Sequence, residues 1–380
     1  MAILAHPPVP VPSSPERAAE ARASSPLNHQ TTQVAVECRN LWKIYGERSA
    51  EALTAARDHH ADKDAIFNEF GCVLGVADAS FQVTRGEIFC IMGLSGSGKS
   101  TLLRHINRLI EPTTGEVIVD GQQVTRLAPA QLRALRSKTI GMVFQHMALW
   151  PHRTLRDNVA YGLEVRGVDA PTRGEAAERA LAQVQLAGWQ DRYPDELSGG
   201  MQQRVGLARA LAADPGILLM DEPFSALDPL IRRELQDEFL ELSKTMHKTT
   251  LFITHDLDEA VRLGHRVAIM KDGFIVQQGR PEEIVTRPEG AYVSKFVSSM
   301  STLGFLTAAD VVLGDGDAAR AARSGGAPVV GAQTNIRELL VAFDAGAREI
   351  VVGAGDEALG VVTPDSIMKA VYRDLTKALD

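Results

Sequence analysis

The stretch IMGLSGSGKST, residues 91–101, constrains the fold of this chain more than any other part of its sequence. It follows EIFCIM, a short apolar run of strand type, and its lysine opens a segment whose leucines and isoleucines recur at helical spacing. We therefore predict a tight turn from a strand into a helix. Within it, Gly93, Gly98, Lys99 and Ser100 fit the pattern G-x-x-x-x-G-K-[ST]. A flexible Gly/Ser linker is the alternative interpretation.

Such a turn is suited to binding phosphate groups. Its backbone N–H groups and the positive end of the following helix point towards an anion. Lys99 is expected to reach the β- and γ-phosphates of a nucleotide, and Ser100 to hold Mg²⁺. The predicted nucleotide-binding residues of this turn are Gly93, Ser95, Gly96, Ser97, Gly98, Lys99, Ser100 and Thr101.

Length and composition limit the class of protein. A chain of 380 residues is long enough for two or three domains, and its formal net charge of -8 argues against a general nucleic-acid binder. The cysteines Cys38, Cys72 and Cys90 lack CxxC spacing, which favours reduced thiols in a cytosolic protein. No apolar run approaches the roughly 20 residues that span a bilayer, and the N-terminus does not resemble a signal peptide. We expect a cytoplasmic protein that reaches a membrane only through a partner.

The pattern along the chain predicts several regions. Residues 1–33 are rich in Pro, Ala and Ser and are predicted to be a disordered tail. From residue 34, strand-like runs such as QVAVECRNL, EIFCIM, GEVIVDG, ILLMD and TLFITH alternate with helical stretches, which favours an α/β domain with a largely parallel sheet. Helix formers dominate about residues 146–214, and residues 47–70 form a second, also helical, insertion. Residues 301–380 alternate strand and helix again, as a small α/β domain.

Polar residues that end apolar runs supply the remaining chemistry. ILLMDEP delivers Asp221 to the end of a strand, where it would hold Mg²⁺ through water, and Glu222 would be the general base for an attacking water. Gln145 and His255 end two other strands. Gln145 is expected to contact Mg²⁺ and the attacking water, and His255 is expected to lie beside the γ-phosphate. Tyr45 could stack on a base. The alternative interpretations are an acidic turn for Asp221 and Glu222, a structural histidine for His255, and an ordinary buried aromatic residue for Tyr45.

The segment ELSGGMQQRVGLARALA, residues 196–212, places Ser198, Gly199 and Gly200 before a long amphipathic helix. Paired glycines at a positive helix end uncover N–H groups, so this is a second phosphate-binding surface. A simple helix N-cap is the alternative. The paired glycines, together with Gln202, favour the phosphate-binding interpretation.

Taken together, these motifs resemble those of the ATP-binding subunit of ABC transporters. GLSGSGKST looks like Walker A, Gln145 like the Q-loop, LSGGMQQ like the signature, ILLMDEP like Walker B, SALD like the D-loop and His255 like the switch histidine. Three features look like those of the glycine betaine/proline importer ATPases: the insertion after Tyr45 and the sequences around GVADAS and VFQHMALWPHRTLRDNVAYGLE. That branch has a C-terminal regulatory domain of CBS type. Residues 327–375 resemble one CBS repeat, truncated or degenerate, in which GVVTPD places Asp365 one residue early.

The resemblance implies a fold and an assembly. The fold is a P-loop ATPase domain over residues 34–300, with a RecA-like core and a helical subdomain, followed by a CBS-like domain over 301–380. Two copies sandwich ATP and Mg²⁺ head to tail, so that Ser198, Gly199, Gly200 and Gln202 act on the partner's nucleotide. The further partners are transmembrane permease subunits and, indirectly, a periplasmic or extracellular substrate-binding protein. Nucleic acid is not among them. The chain would lie on the cytoplasmic side of the inner (plasma) membrane.

The expected function is ATP hydrolysis that powers import of a compatible solute such as glycine betaine, proline betaine, choline or proline. An importer ATPase for another small solute, such as an amino acid, is the alternative. A soluble ABC ATPase fits less well because such proteins have two cassettes or a long coiled coil. A non-hydrolysing nucleotide sensor fits less well because Glu222 and His255 are both intact.

Overall fold

The computed structural model describes residues 33–59, 61–145, 147–225, 227–298, 307–313, 316–354 and 357–369. The tail predicted for residues 1–33 lies outside these residues except for Gln33. The strands are β1 (Val34–Tyr45), β2 (Val73–Thr84), β3 (Ile88–Met92), β4 (Thr114–Val119), β5 (Gln122–Gln123), β6 (Ile140–Val143), β7 (Ile217–Asp221), β8 (Thr249–Thr254), β9 (Arg266–Lys271), β10 (Phe274–Gly279), β11 (Val329–Val330), β12 (Ile350–Ala354) and β13 (Glu357–Val362). The helices are α1 (Ser49–Asp58), α2 (Lys63–Phe70), α3 (Lys99–Ile106), α4 (Pro129–Lys138), α5 (Leu155–Val165), α6 (Ala170–Gln183), α7 (Gly199–Leu211), α8 (Pro229–Met246), α9 (Leu257–Leu263), α10 (Pro281–Thr286), α11 (Gly290–Ser298), α12 (Ala308–Val311), α13 (Gly316–Ser324) and α14 (Ile336–Asp344).

A largely parallel sheet forms the centre of the fold. Its order is β10-β9-β3-β8-β7-β6, and among these neighbours only β10 and β9 pair antiparallel. Every residue of β3, β7 and β8 is buried, which explains their nearly continuous apolar sequences. The register pairs Met92 with Thr254 and Asp221 with Ile253. The carboxyl ends of these strands therefore meet at one edge, where ligands of open α/β sheets bind.

A second, antiparallel sheet corrects one expectation. Its order is β2-β1-β4-β5, so the runs QVAVECRNL and GEVIVDG do not join the parallel sheet. Strand β2 was also not predicted. Its burial alternates along much of its length, and its apolar run is interrupted by Gly75, Asp78 and Ser80. Such a half-buried strand has a weaker apolar signal than a strand buried on both faces.

Helices fill the segment between β6 and β7, for which the sequence predicts a helical subdomain. Thr154, Asp169 and Ser198 cap α5, α6 and α7 by accepting a backbone N–H bond at each N-terminus. Their apolar faces, including the buried residues Val159 and Leu181, share one hydrophobic core with β7 and β8. Packing into this core fixes the position of the N-terminus of α7, at Gly199.

The insertion between β1 and β2 forms the helices α1 and α2. Ala52, Ala56 and Ile66 bury one face of the pair against Trp42 and Leu74 of the antiparallel sheet. Asp62 caps α2 by accepting the N–H of Ala65 at 2.8 Å. The insertion is therefore packed onto the antiparallel sheet and has its own small core.

The C-terminal part has a separate core. Strand β12 pairs parallel with β11 and antiparallel with β13, and residues 364–369 are helical. Ile336, Leu339, Ile350, Val352 and Val362 are all buried together. The predicted alternation of strand and helix is present, while the likeness to a CBS repeat remains a prediction.

The cysteine thiols are all buried and free. Cys38 lies in β1, Cys90 in β3, and Cys72 just before β2. Burial raises the pKa of the Cys38 and Cys90 thiols above the ordinary value, so both remain protonated. None of the helices in the described parts of the chain is both long and apolar enough to cross a lipid bilayer.

Candidate nucleotide site

The turn between β3 and α3 depends on its glycines. Gly93, Gly96 and Gly98 have φ values of 151°, 77° and 103°, which side chains with a Cβ rarely adopt. A Cβ at Gly93 would lie 2.3 Å from the carbonyl oxygen of Met270, and one at Gly98 would lie 2.1 Å from that of Gly75. At Gly96 a Cβ would meet nothing within 4 Å. Close packing and a positive φ thus both require glycine at positions 93 and 98, whereas at position 96 only the positive φ does.

Lys99, the first residue of α3, is held across this turn. Its side chain is buried, and its Nζ donates to the carbonyl oxygens of Gly93 at 2.9 Å and Leu94 at 3.0 Å. Burial lowers the pKa of Lys99, while the negative charges of Glu222 and Asp221 oppose this shift. The ammonium group of Lys99 is therefore bound by backbone carbonyl oxygens of the turn itself.

A buried hydroxyl in the same turn lacks a partner. Ser97 Oγ makes no hydrogen bond to any described protein atom, although the residue is only 5% exposed. An orphaned buried polar atom is uncommon in folded proteins and calls for an explanation. A phosphate oxygen bound in the turn could supply the missing partner. The turn therefore fits the nucleotide that its sequence predicts.

Asp221 and Ser100 meet next to the turn. Ser100 Oγ donates to Asp221 Oδ1 at 2.8 Å, and Asp221, at the end of β7, is 2% exposed. Arg104 Nη2 lies 3.0 Å from Asp221 Oδ2. A hydroxyl beside a carboxylate is a suitable donor set for Mg²⁺, which prefers oxygen ligands and usually takes one or two carboxylates together with substrate phosphates. The described residues contain no cluster of three or more His, Cys, Asp or Glu side chains that would form a complete metal cage.

Arg104 was not predicted as a site residue. It lies one helical turn after Ser100 on α3, so both side chains reach the same carboxylate. One sequence feature could have indicated it: Arg104 is a cationic residue four positions after the predicted metal ligand Ser100, on the helix that faces the end of β7.

Two of the three predicted catalytic residues converge on the carboxylate of the third, Glu222. His255 Nδ1 lies 3.2 Å from Glu222 Oε2, and Gln145 Nε2 lies 3.5 Å from the same oxygen, at the limit of a hydrogen bond. Glu222 has a φ of 48°, a left-handed conformation that costs free energy in a residue other than glycine. The backbone is thus strained where this carboxylate leaves β7.

A buried network supports the loop of His255. Glu259 accepts hydrogen bonds from the hydroxyl of Thr254 and, at 3.1 Å, from Gln236 Nε2 of α8. Burial raises the pKa of Glu259, and the two hydrogen bonds only partly oppose this effect. The network joins α8 to the end of β8, one residue before His255.

Tyr45 lies beside the start of α3. It is 39% exposed, and its hydroxyl is 3.4 Å from Thr101 Oγ1. The Tyr45 ring packs closely on Gly75, where a Cβ would lie 2.9 Å from the ring. Gly75, which the sequence analysis missed, thus adjoins both Tyr45 and Gly98. A glycine inside a strand often marks such a close backbone approach.

The signature residues lie at the start of α7. Ser198 Oγ accepts the N–H of Met201 at 3.4 Å, and Gln202 Nε2 donates to the Pro194 carbonyl at 2.9 Å. A Cβ at Gly199 would meet nothing within 4 Å, whereas one at Gly200 would lie 2.7 Å from Ile231. In the described residues, the contacts of these side chains stay near the start of α7 and do not reach Lys99. Within one chain, this helix end is therefore separate from the phosphate-binding turn.

The chain is similar in sequence to known proteins. Residues 76–225 match the family described as ABC transporter. The chain is 52% identical over 279 residues to the glycine betaine transport ATP-binding protein OpuAA of Bacillus subtilis, covering 73% of this chain and 66% of that protein. It is 51% identical over 278 residues to the glycine betaine/carnitine transport ATP-binding protein GbuA of Listeria monocytogenes, covering 73% and 70%.

A further relative and a solved structure extend the comparison. The trimethylamine N-oxide transport ATP-binding protein TmoW of Pelagibacter ubique is 47% identical over 277 residues, covering 73% of this chain and 81% of that protein. A solved ATP-binding cassette, a dimer in a post-hydrolysis state bound to ADP and Pi, superposes with a TM-score of 0.54 at 31% identity. That match covers 65% of this chain and 98% of the solved chain.

Proposed function

Because the chain belongs to the ABC transporter family, whose ATP-binding subunits are ATPases that drive transport, we propose that it powers import of a quaternary-amine solute. The relatives are named for transport of glycine betaine, carnitine, trimethylamine N-oxide and choline, which each have a nitrogen with three methyl groups. Proline betaine, also named among the relatives, and proline extend this set of candidate solutes. The observation that supports hydrolysis best is the convergence of His255 and Gln145 on Glu222, next to Asp221.

Each residue of the site has a role in this proposal. Lys99 and the N–H groups of the turn bind the β- and γ-phosphates, so Lys99 exchanges its carbonyl partners for phosphate oxygens. Ser100 and Asp221 hold Mg²⁺, which would neutralise charge that develops on the transferred phosphoryl group. Glu222 accepts the proton of the attacking water, and Gln145 orients that water. His255 stays next to Glu222 and approaches the γ-phosphate.

We further propose that the functional unit is a head-to-tail homodimer in which Ser198, Gly199 and Gly200 complete the partner's site. The dimeric cassette among the solved relatives supports this arrangement. The open space around Gly199 offers a direct test, because Gly199→Asp adds a charge at the helix end without a clash inside the chain. A Lys99→Ala chain and a Gly199→Asp chain should each be inactive, and their mixture should recover part of the activity. Proven mixed dimers without recovery would contradict the head-to-tail model.

A basic groove is the proposed docking site for the permease subunits. It lies between α4, β6, α5 and α7, and it has a volume of about 740 Å³. Its lining includes the cationic residues Arg133, Arg136, Lys138, Arg166 and Arg209. Arg209 also donates to the carbonyl of Ala148 at 3.0 Å, three residues beyond Gln145. Movement of the permease in this groove would therefore be transmitted to the catalytic carboxylate.

This arrangement would place the chain on the cytoplasmic face of the membrane, attached through its permease partners. The substrate-binding protein would contact those partners and not this chain. We propose that the C-terminal part, residues 301–380, is a CBS-like regulatory domain that makes uptake depend on internal salt. A stabilising role in dimerisation is the alternative for that domain.

The decisive experiment is uptake in vesicles that contain the chain and its permease. ATP-dependent uptake of labelled glycine betaine should exceed uptake of an amino acid such as histidine, and Lys99→Ala should abolish it. Equal uptake of histidine, or uptake that survives Lys99→Ala, would overturn the proposed function.

A further inference from the structure

The helical insertion reaches the phosphate-binding turn through one side chain. Lys63, the first residue of α2, donates from its Nζ to the carbonyl oxygen of Gly96 at 3.2 Å. The two residues are 33 positions apart in the sequence, so the contact is a tertiary one. The insertion and the turn are each predicted from the sequence, but their contact is not.

The insertion is held firmly enough to place this lysine. Arg48 ties its two helices together, because it bonds Glu51 at 2.6 Å near the start of α1 and the Glu69 carbonyl at 3.0 Å near the end of α2. Ile66, three residues after Lys63, is fully buried in the insertion core. The ammonium of Lys63 is thus delivered by a packed helix and not by a free loop.

Gly96 is the least closely packed of the three glycines in the turn. Gly93 and Gly98 are each enclosed by backbone carbonyls, whereas nothing lies within 4 Å of a Cβ at Gly96. Gly96 also has a positive φ of 77°, and glycine has more conformational freedom than any other residue. The hydrogen bond from Lys63 to the Gly96 carbonyl restrains this residue.

We propose that Lys63 is a positioning residue for the phosphate-binding turn, and that the insertion is a clamp that pre-organises it for the nucleotide. The hydrogen bond from Lys63 fixes the Gly96 carbonyl, and its positive charge lies close to the turn that binds the phosphates. A pre-organised turn binds its ligand more tightly because less conformational entropy is lost on binding. The proposal rests on the proposed ATP site and adds the insertion to it.

The test compares full-length variants on the same helix. Lys63→Met removes the charge and the donor but keeps the length of the side chain, and Lys63→Arg keeps the charge. Asn68→Ala is the matched control, since Asn68 is an exposed residue of α2. Four quantities are measured for each: KM and kcat for ATP, the affinity for a fluorescent ADP analogue, and the thermal midpoint without nucleotide.

A charge-assisted hydrogen bond at a half-exposed site predicts that Lys63→Met weakens nucleotide affinity and raises KM by roughly three- to tenfold. The expected change in kcat is less than about twofold, because the bond is present before and during the reaction. Lys63→Arg should restore most of the affinity, and Asn68→Ala should leave it unchanged.

Two results would overturn the inference. The first is an unchanged affinity in Lys63→Met with a lowered thermal midpoint, because Lys63 would then only tether the insertion. The second is an equal loss of affinity in Asn68→Ala. If Lys63→Met does not fold, Lys63→Gln and Lys63→Arg decide the question by whether affinity follows the charge. Failure of the wild-type chain itself to bind the ADP analogue would contradict the ATP site and not this inference alone.

Discussion

Replacing single glycines of the phosphate-binding turn by alanine should separate two contributions to the loss of stability: the steric clash of the new Cβ and the strain of a positive φ. Gly98→Ala places a Cβ 2.1 Å from the Gly75 carbonyl, whereas Gly96→Ala places one in open space. Both residues have a positive φ, which costs an alanine about 1–2 kcal/mol. The clash at Gly98 adds about 1–3 kcal/mol because a backbone atom of β2 must move. We therefore expect a loss of about 2–5 kcal/mol for Gly98→Ala and about 1–2 kcal/mol for Gly96→Ala.

The assay is denaturant unfolding without nucleotide, followed by nucleotide binding under native conditions. Gly98→Ala should lower the unfolding midpoint well below that of Gly96→Ala and should also weaken nucleotide binding, because the added Cβ distorts the turn and the shift of Gly75 displaces the ring of Tyr45. Gly71→Ala is a control outside the turn, since Gly71 has a φ of 63° and an open environment. It should match Gly96→Ala in stability and bind nucleotide normally. A Gly98→Ala chain as stable as Gly96→Ala would refute the argument from packing.

Four further predictions concern the same chain. Glu222→Gln should bind ATP, accumulate as a dimer on a sizing column and lose turnover, and a normal rate of hydrolysis would show that Glu222 is not the base. Tyr45→Ala should raise the KM for ATP with less effect on kcat, since base stacking contributes about 1–3 kcal/mol, and an unchanged KM would return Tyr45 to a structural role. The pKa of Glu259 is raised in the folded chain above its ordinary value of 4.5, so its protonated form stabilises the fold at low pH and that contribution is lost as pH rises through the folded pKa. Glu259→Gln should therefore flatten that decline in denaturant titrations at several pH values, and parallel pH profiles for the two chains would count against it. A chain that ends near Met300 should keep ATPase-driven uptake but lose its dependence on internal salt; identical salt profiles would exclude a regulatory tail, and failure to assemble would favour a role in dimerisation.

The sequence could bring the residues of the candidate site together because they lie in short contiguous motifs at the ends of buried strands. Asp221 and Glu222 follow an apolar run of strand type, and the parallel register then brings them to Ser100 and His255. The geometry follows from local sequence together with one rule of topology.

The residues that were missed act across long separations in sequence. Gly75 meets Gly98 and Tyr45, and Lys63 meets Gly96, through contacts between the antiparallel sheet or the insertion and the turn. No local pattern predicts such contacts, because the register and packing of the two sheets decide them. The antiparallel sheet itself was misassigned for the same reason, since a run of apolar residues predicts a strand but not its partner.

The burial of all cysteine thiols has a practical consequence for following this protein in action. Thiolate is the form that reacts with maleimide reagents, and Cys38, Cys72 and Cys90 are all shielded from solvent. A single cysteine introduced at the exposed position Phe67 would therefore be the preferred site of labelling in the otherwise natural chain. Because Phe67 lies on α2, a fluorophore there would move with the insertion, and two labelled copies would report the distance between subunits as ATP is bound and hydrolysed.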